Sequence, residues 1–185
     1  MRTKFGEHIQ GWMTSQELDW LAQQAAKSHY IVEVGSWRGR STTAIANHML
    51  GELWCVDAWK GKLSMDDEAM YPGSEEEAAQ AEREFLVNMK EHIAINRLYI
   101  LKGSSDMAVD YLMANHGPVF DFIFIDADHS YEAVHHDIVE YGKLLQVGGI
   151  LAGHDNWMPG VEQAVKELLP NATNVVHGIW SSVKI

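Results

Sequence analysis

Only one cysteine occurs among 185 residues, so no disulfide can form within the chain. Cys55 lies inside the apolar run Leu53-Trp54-Cys55-Val56, which predicts a buried thiol, a reducing compartment and a cytoplasmic protein. Basic residues are also scarce: 14 Lys and Arg stand against 26 Asp and Glu, a formal net charge of −12. Nucleic acid and anionic membranes are bound through Lys and Arg facing phosphate, so neither is expected as a partner. No stretch approaches the ~18 apolar residues of a membrane span, and Met1-Arg2-Thr3-Lys4-Phe5-Gly6-Glu7 has no apolar signal core behind its charges. A soluble protein is expected. Internal repeats and low-complexity tracts are absent too. What remains is a chain near the usual size of one domain, roughly 100–200 residues, with 46% hydrophobic content to fill one core. One domain over 1–185 is expected, opened by a helical segment within 1–28.

Thr14-Ser15-Gln16-Glu17 has the S/T-x-x-E form of a capping box, and Leu18, Leu21, Ala22 and Ala25 follow at helical spacing. Tyr30–Val34 then reads as a strand ended by Gly35, and Ser41 to Leu50 as a helix. The unit recurs: strand Leu53–Val56; strand Leu98–Lys102 with helix Ser105–Asn115; strand Phe120–Ile125 with helix Tyr131–Leu145; strand Ile150–Gly153 with helix Val161–Leu169. Such alternation predicts an α/β fold, a mainly parallel sheet with helices on both faces. Asn174–His177 and Trp180–Lys184, parted by Gly178, predict a terminal hairpin. Lys60 to Gly73 breaks the rhythm without any period and reads as a lid or substrate loop, before Ser74-Glu75-Glu76-Glu77 opens another helix.

Ligands of open α/β sheets sit outside the carboxyl ends of the strands, where Val32-Glu33-Val34-Gly35-Ser36-Trp37-Arg38-Gly39-Arg40-Ser41 falls. A dinucleotide fingerprint needs glycine where Trp37 and Arg40 stand, so close approach of a pyrophosphate is blocked. Glu33 would repel phosphate but accept hydrogen bonds from the ammonium of an amino-acid ligand. S-adenosylmethionine (SAM) carries that ammonium and no phosphate. Asp57, 22 residues after Gly35, stands where an acid accepts ribose hydroxyls, and Gly103-Ser104-Ser105-Asp106 follows the third strand on the adenine side.

These residues resemble the class I methyltransferases, with Glu33 to Ser41 similar to the first motif and Asp57 to the ribose acid. The resemblance spans about residues 30–157. It implies a Rossmann-like doubly wound, seven-stranded sheet in the order 3-2-1-4-5-7-6 with strand 7 antiparallel. It also implies that Gly35, Ser36, Trp37, Gly39 and Ser41 hold the methionine moiety of SAM with Glu33, that Asp57 holds the ribose, and that Ser104 and Ser105 border the adenine.

A second constellation is acidic. Asp126-Ala127-Asp128-His129-Ser130-Tyr131 ends the fourth strand, and His154-Asp155-Asn156-Trp157 ends the fifth. Neighbouring strands lie about 4.8 Å apart, so Asp126 and Asp155 can reach one cation, with Asn156 adding a neutral oxygen. That all-oxygen set suits Mg²⁺, Ca²⁺ or Mn²⁺ better than Zn²⁺. The same residue types also serve as strand ends, helix caps and turns without any ligand. The pattern is similar to the small metal-dependent O-methyltransferases of the catechol and caffeoyl-CoA type, which implies Asp126, Asp155 and Asn156 as ligands. Where the plant motif continues with Lys this chain has His129, and Asp-Ala-Asp-His-Ser-Tyr resembles a bacterial branch of sugar and antibiotic O-methyltransferases and cephalosporin-hydroxylase-like proteins.

The expected reaction is methyl transfer to a small hydroxylated molecule, with Asp126 beside both cofactor and cation and either His129 or Asp128 as base. Transfer to oxygen or nitrogen without metal, a nicotinamide oxidoreductase and a cofactor-binding module without turnover are the alternatives. Trp37, Trp59 and Trp157 either stack at the site mouth or cover the core edge. A homo-oligomer stays open.

Overall fold

The computed structural model describes residues 5–60 and 74–184, so Lys60 alone of the expected lid lies within it and residues 61–73 lie outside the described residues. In chain order the elements are α1 (Ser15–Ala25), β1 (Tyr30–Val34), α2 (Arg40–Ala46), β2 (Glu52–Asp57), α3 (Glu75–Ala94), β3 (Leu98–Lys102) and α4 (Ser105–Asn115). Then follow β4 (Phe120–Ile125), α5 (Tyr131–Leu144), β5 (Leu145–Gly153), α6 (Pro159–Leu168), β6 (Thr173–Val176) and β7 (Ile179–Val183). The capping box forms at α1, where the Thr14 side chain accepts from Glu17 N and Glu17 reaches back to Thr14 N.

The strands form one sheet in the order β3-β2-β1-β4-β5-β7-β6, with β5 and β7 antiparallel. Side chains on a strand alternate between faces, so an uninterrupted apolar run implies cover on both sides. Ile31, Leu53, Cys55, Phe122 and Phe124 accordingly enter the core shared with α1, α2 and α3. Val32, Trp54, Val56, Ile123 and Ile125 enter the second core, with residues of α4, α5 and α6. Among the described residues no helix is long and apolar enough to cross a membrane.

Two boundaries depart from the periodicity. Helix α2 ends at Ala46 rather than Leu50, because Leu50 N turns to donate to Ser28 O. Strand β5 begins at Leu145 rather than Ile150: Leu145 pairs with Phe120, and Gly148 and Gly149 exchange hydrogen bonds with Lys184. Because β2 and β3 lie to one side of β1 and β4 and β5 to the other, the chain switches direction at the carboxyl ends of β1 and β4. A crevice opens at such a switch point.

Candidate active site

The loop from β1 to α2 holds three left-handed residues, Gly35 (φ 91°), Trp37 (φ 47°) and Gly39 (φ 88°). Gly35 has a second constraint: a Cβ there would stand 1.9 Å from Asp126 O, so any side chain would push β1 and β4 apart. Beneath the loop Glu33 is fully buried, and its Oε2 accepts from the hydroxyls of Ser36 (2.8 Å) and Thr42. Its Oε1 has no hydrogen-bond partner among the described residues. Burial lifts the Glu33 pKa to about 7 against the pull of the Ser41, Thr42 and Ser36 hydroxyls. Asp57 closes the loop from the next strand, accepting from Trp37 N and Trp59 N at 2.7 Å each. Burial raises the Asp57 pKa, and these backbone N–H groups oppose the rise.

Arg40 is a residue that sequence reading passed over except as an obstacle to pyrophosphate. Its guanidinium donates to three carbonyls of the N-terminal segment, Glu7 O (2.9 Å), Ile9 O (2.6 Å) and Met13 O (2.7 and 3.0 Å). The fork of Arg suits several acceptors at once. It seats Gln10, Gly11, Trp12 and Met13 against a cavity of about 610 Å³.

Of the residues expected to hold a cofactor, Gly35, Ser36, Trp37, Ser41 and Asp57 line this cavity, and so do Ser104, Ser105 and Asp126. Glu33 and Gly39 do not border it. Gly39 instead faces α3, where a Cβ would meet Phe85 and Met89 at 3.2 and 3.3 Å. The Ser105 hydroxyl donates to Asp137 of α5, a buried acid on the cavity wall that no sequence motif marks. Trp37, Trp59 and Trp157 all line the cavity, but differently. Trp59 is core, tilted against Phe85 at 5.1 Å, whereas Trp157 is 60% exposed with His154 edge-on at 5.3 Å.

The acidic cluster lines the same cavity. His129 Nε2 lies 2.9 Å from Asp155 Oδ2, and His154 Nδ1 lies 3.2 Å from Asp155 Oδ1 and 3.8 Å from Asp126 Oδ1. Asp126, His154 and Asp155 each turn one donor atom inward, all within 4.8 Å of one another. Asp128 also lines the cavity, but its Oδ1 accepts from Ser130 N (2.7 Å), the turn role that Asp often takes ahead of a helix. Asn156 does not line the cavity, and its Oδ1 is buried without a hydrogen-bond partner among the described residues. Its backbone N donates to Gly178 O and its side-chain amide to Asn174 at 2.5 Å, so the β6–β7 turn draws it off the cavity.

Charge in this cluster is strongly coupled. Burial disfavours the His154 cation, yet Asp126, Asp155 and Glu17 together lift its pKa to about 10. Burial also raises Asp126, to about 6, with Asp155 adding to the rise. Asp155 is held well below the usual carboxylate range: burial works against its charge, and hydrogen bonds from His129 and His154 prevail. Glu17 is the residue whose part here could not be foreseen. Its Oε1 accepts from His154 Nε2 at 2.9 Å across 137 positions of sequence. Its local signal, the capping box, is complete without that contact.

In sequence, residues 32–156 match the family described as a methyltransferase domain. No curated protein matches the chain. The fold is similar to that of the O-methyltransferase from Bacillus cereus in complex with SAH, at 17% identity and a TM-score of 0.69, over 94% of this chain and 83% of that one. It is similar as well to the O-methyltransferase TomG from Streptomyces achromogenes, involved in tomaymycin synthesis and solved with SAM, at 12% identity and a TM-score of 0.67, over 94% and 82% of the two chains. With well over half of its length inside the sequence match, this chain belongs to the methyltransferase-domain family.

Proposed function

We propose that the chain is a SAM-dependent O-methyltransferase, one domain acting in the cytoplasm on a hydroxyl of a small molecule such as a sugar or natural-product intermediate. A divalent cation, Mg²⁺ first among the candidates, is proposed between Asp126 and Asp155. The observation that carries the reading is that one cavity joins the β1–α2 loop and Asp57 to His129, Asp126 and Asp155. The solved complexes of similar fold hold SAH or SAM.

The residues suit the ligand. A carboxylate offers about four acceptor sites; Asp57 accepts from Trp37 N and Trp59 N, with Ser36 N also acting on it, and keeps capacity for a ribose hydroxyl. Ser36 and Ser41 line the cavity and their hydroxyls act on buried Glu33, so the amino end of the ligand would meet Glu33 through them. Bound SAM supplies a methyl carbon on a sulfonium, and the protein has to align acceptor oxygen, methyl and sulfur. A cation beside Asp126 and Asp155 would lower the acceptor hydroxyl's pKa and orient it. His129, fixed on Asp155, faces the same cavity as the proton acceptor, while Asp128 is the weaker candidate because its turn already uses one oxygen.

Calorimetry with SAM and with NAD, each with and without Mg²⁺, tests the assignment. SAM is expected to bind and NAD not to; no heat from SAM at millimolar concentration ends the proposal. Asp155→Ala is expected to abolish cation binding and methyl transfer while keeping affinity for SAH. The His129–Asp155 pair favours a second reading in which transfer needs no metal, and full activity after chelation selects it.

A further inference from the structure

The expected ligand set was all oxygen, yet among the Asp, Glu, His and Cys side chains of the described residues the atom that joins Asp126 and Asp155 within 4.8 Å is a nitrogen. A carboxylate only accepts hydrogen bonds, so the 2.9 Å contact to Glu17 Oε1 fixes a proton on His154 Nε2. Glu17 is itself held from three sides: Thr14 N and Thr14 Oγ1 donate to its Oε2 at 2.7 and 2.8 Å, and Gly178 N donates to its Oε1 at 3.2 Å. The ring is thereby locked with Nδ1 toward Asp155 Oδ1 (3.2 Å) and Asp126 Oδ1 (3.8 Å). Adjacent donors on an octahedral ion with bonds of about 2.1 Å stand roughly 3 Å apart. The 3.2 Å separation matches this and the 3.8 Å one lies near it. Histidines that bind metals characteristically donate their other N–H to a carboxylate, which sets tautomer and ring orientation.

We infer that His154 Nδ1 is a protein ligand of the cation between Asp126 and Asp155, and that Glu17 of the N-terminal helix is the positioning residue that aims it. This rests on the cation reading above. The cation takes the position of the Nδ1 proton, which leaves to solvent. A nitrogen donor also shifts preference along the divalent series, so Mn²⁺ and Co²⁺ bind more tightly than Mg²⁺ or Ca²⁺. The fold thus ties the α1 capping box to metal affinity.

The test uses the full chain with Mn²⁺ alone, followed by electron paramagnetic resonance and its spin-echo modulation. Wild-type protein is expected to show modulation from one directly bound ¹⁴N, which His154→Gln removes and His129→Gln retains. Glu17→Gln keeps the side-chain shape and should weaken Mn²⁺ about 10–100-fold. Bound Mn²⁺ without nitrogen modulation, or unchanged affinity in Glu17→Gln, overturns this inference and leaves the cation reading standing. No Mn²⁺ binding by wild-type protein overturns both.

Discussion

Glu33 has a carboxylate oxygen with no hydrogen-bond partner among the described residues, fully buried behind the loop that faces the cavity. Its pKa of about 7 in the fold, against an ordinary 4.5, means that the native state keeps a proton that the unfolded chain releases. Between these values the native state binds more protons, so the stability contributed by the neutral acid is full below pH 4.5 and is lost as pH rises toward 7. The window corresponds to a loss on the order of 3 kcal/mol. Glu33→Gln keeps an acceptor for Ser36 and Thr42 but cannot ionise. Urea unfolding of the ligand-free protein at pH 5 and pH 8 should show the variant gaining on wild type by about that amount; parallel pH dependence would contradict the assignment. Asp57 makes a different prediction because it lines the cavity. Asp57→Ala should weaken SAM by at least about tenfold, as loss of hydrogen bonds to a charged acceptor costs about 1.5–3 kcal/mol each. Titration calorimetry reads this directly, and unaltered affinity removes Asp57 from the ribose role.

At the scale of elements, the N-terminal segment matters more to the site than its sequence suggests. One side chain, Arg40 at the start of α2, holds the carbonyls of Glu7, Ile9 and Met13. Arg40→Ala leaves those acceptors without a partner and is expected to cost about 2–4 kcal/mol. Arg40→Lys should recover only part, since one ammonium cannot span the three acceptors as a planar fork does. Hydrogen exchange localises the effect: amides of residues 6–13 should lose protection while those of β1 and β4 keep theirs. Uniform loss across the sheet would show that Arg40 supports the whole fold and not this segment.

The whole molecule is a sheet with two cores, and its interior is sensitive to volume in the usual way. Phe124 is fully buried at the centre of β4, packed toward α1–α3 beside Phe122 at 6.4 Å. Phe124→Ala should destabilise by about 3–5 kcal/mol through lost burial and an unfilled cavity. For a chain of this length that lowers the thermal midpoint by on the order of 10 °C, checked by calorimetry. The strand order itself was legible only through the likeness of Glu33–Ser41 and Asp57 to a known family. Periodicity located strands and helices but carries no information on which strand pairs with which. It failed where pairing overrode local preference, as in the glycine-containing start of β5.

Read alone, the chain already determined the alternation of strands and helices, the glycine loop at the end of the first strand and the acids at the ends of the fourth and fifth. These are consequences of local steric preference and of residue type at strand ends, which neighbouring residues express. Tertiary structure decided which atoms meet. It withdrew Glu33 and Gly39 from the cavity wall, turned Asn156 to the β6–β7 hairpin and brought Glu17 to His154. Contacts between positions 17 and 154, or 40 and 13, arise from packing elements that are distant in sequence. No periodicity or motif encodes them, and burial then sets the charges of the groups they bring together.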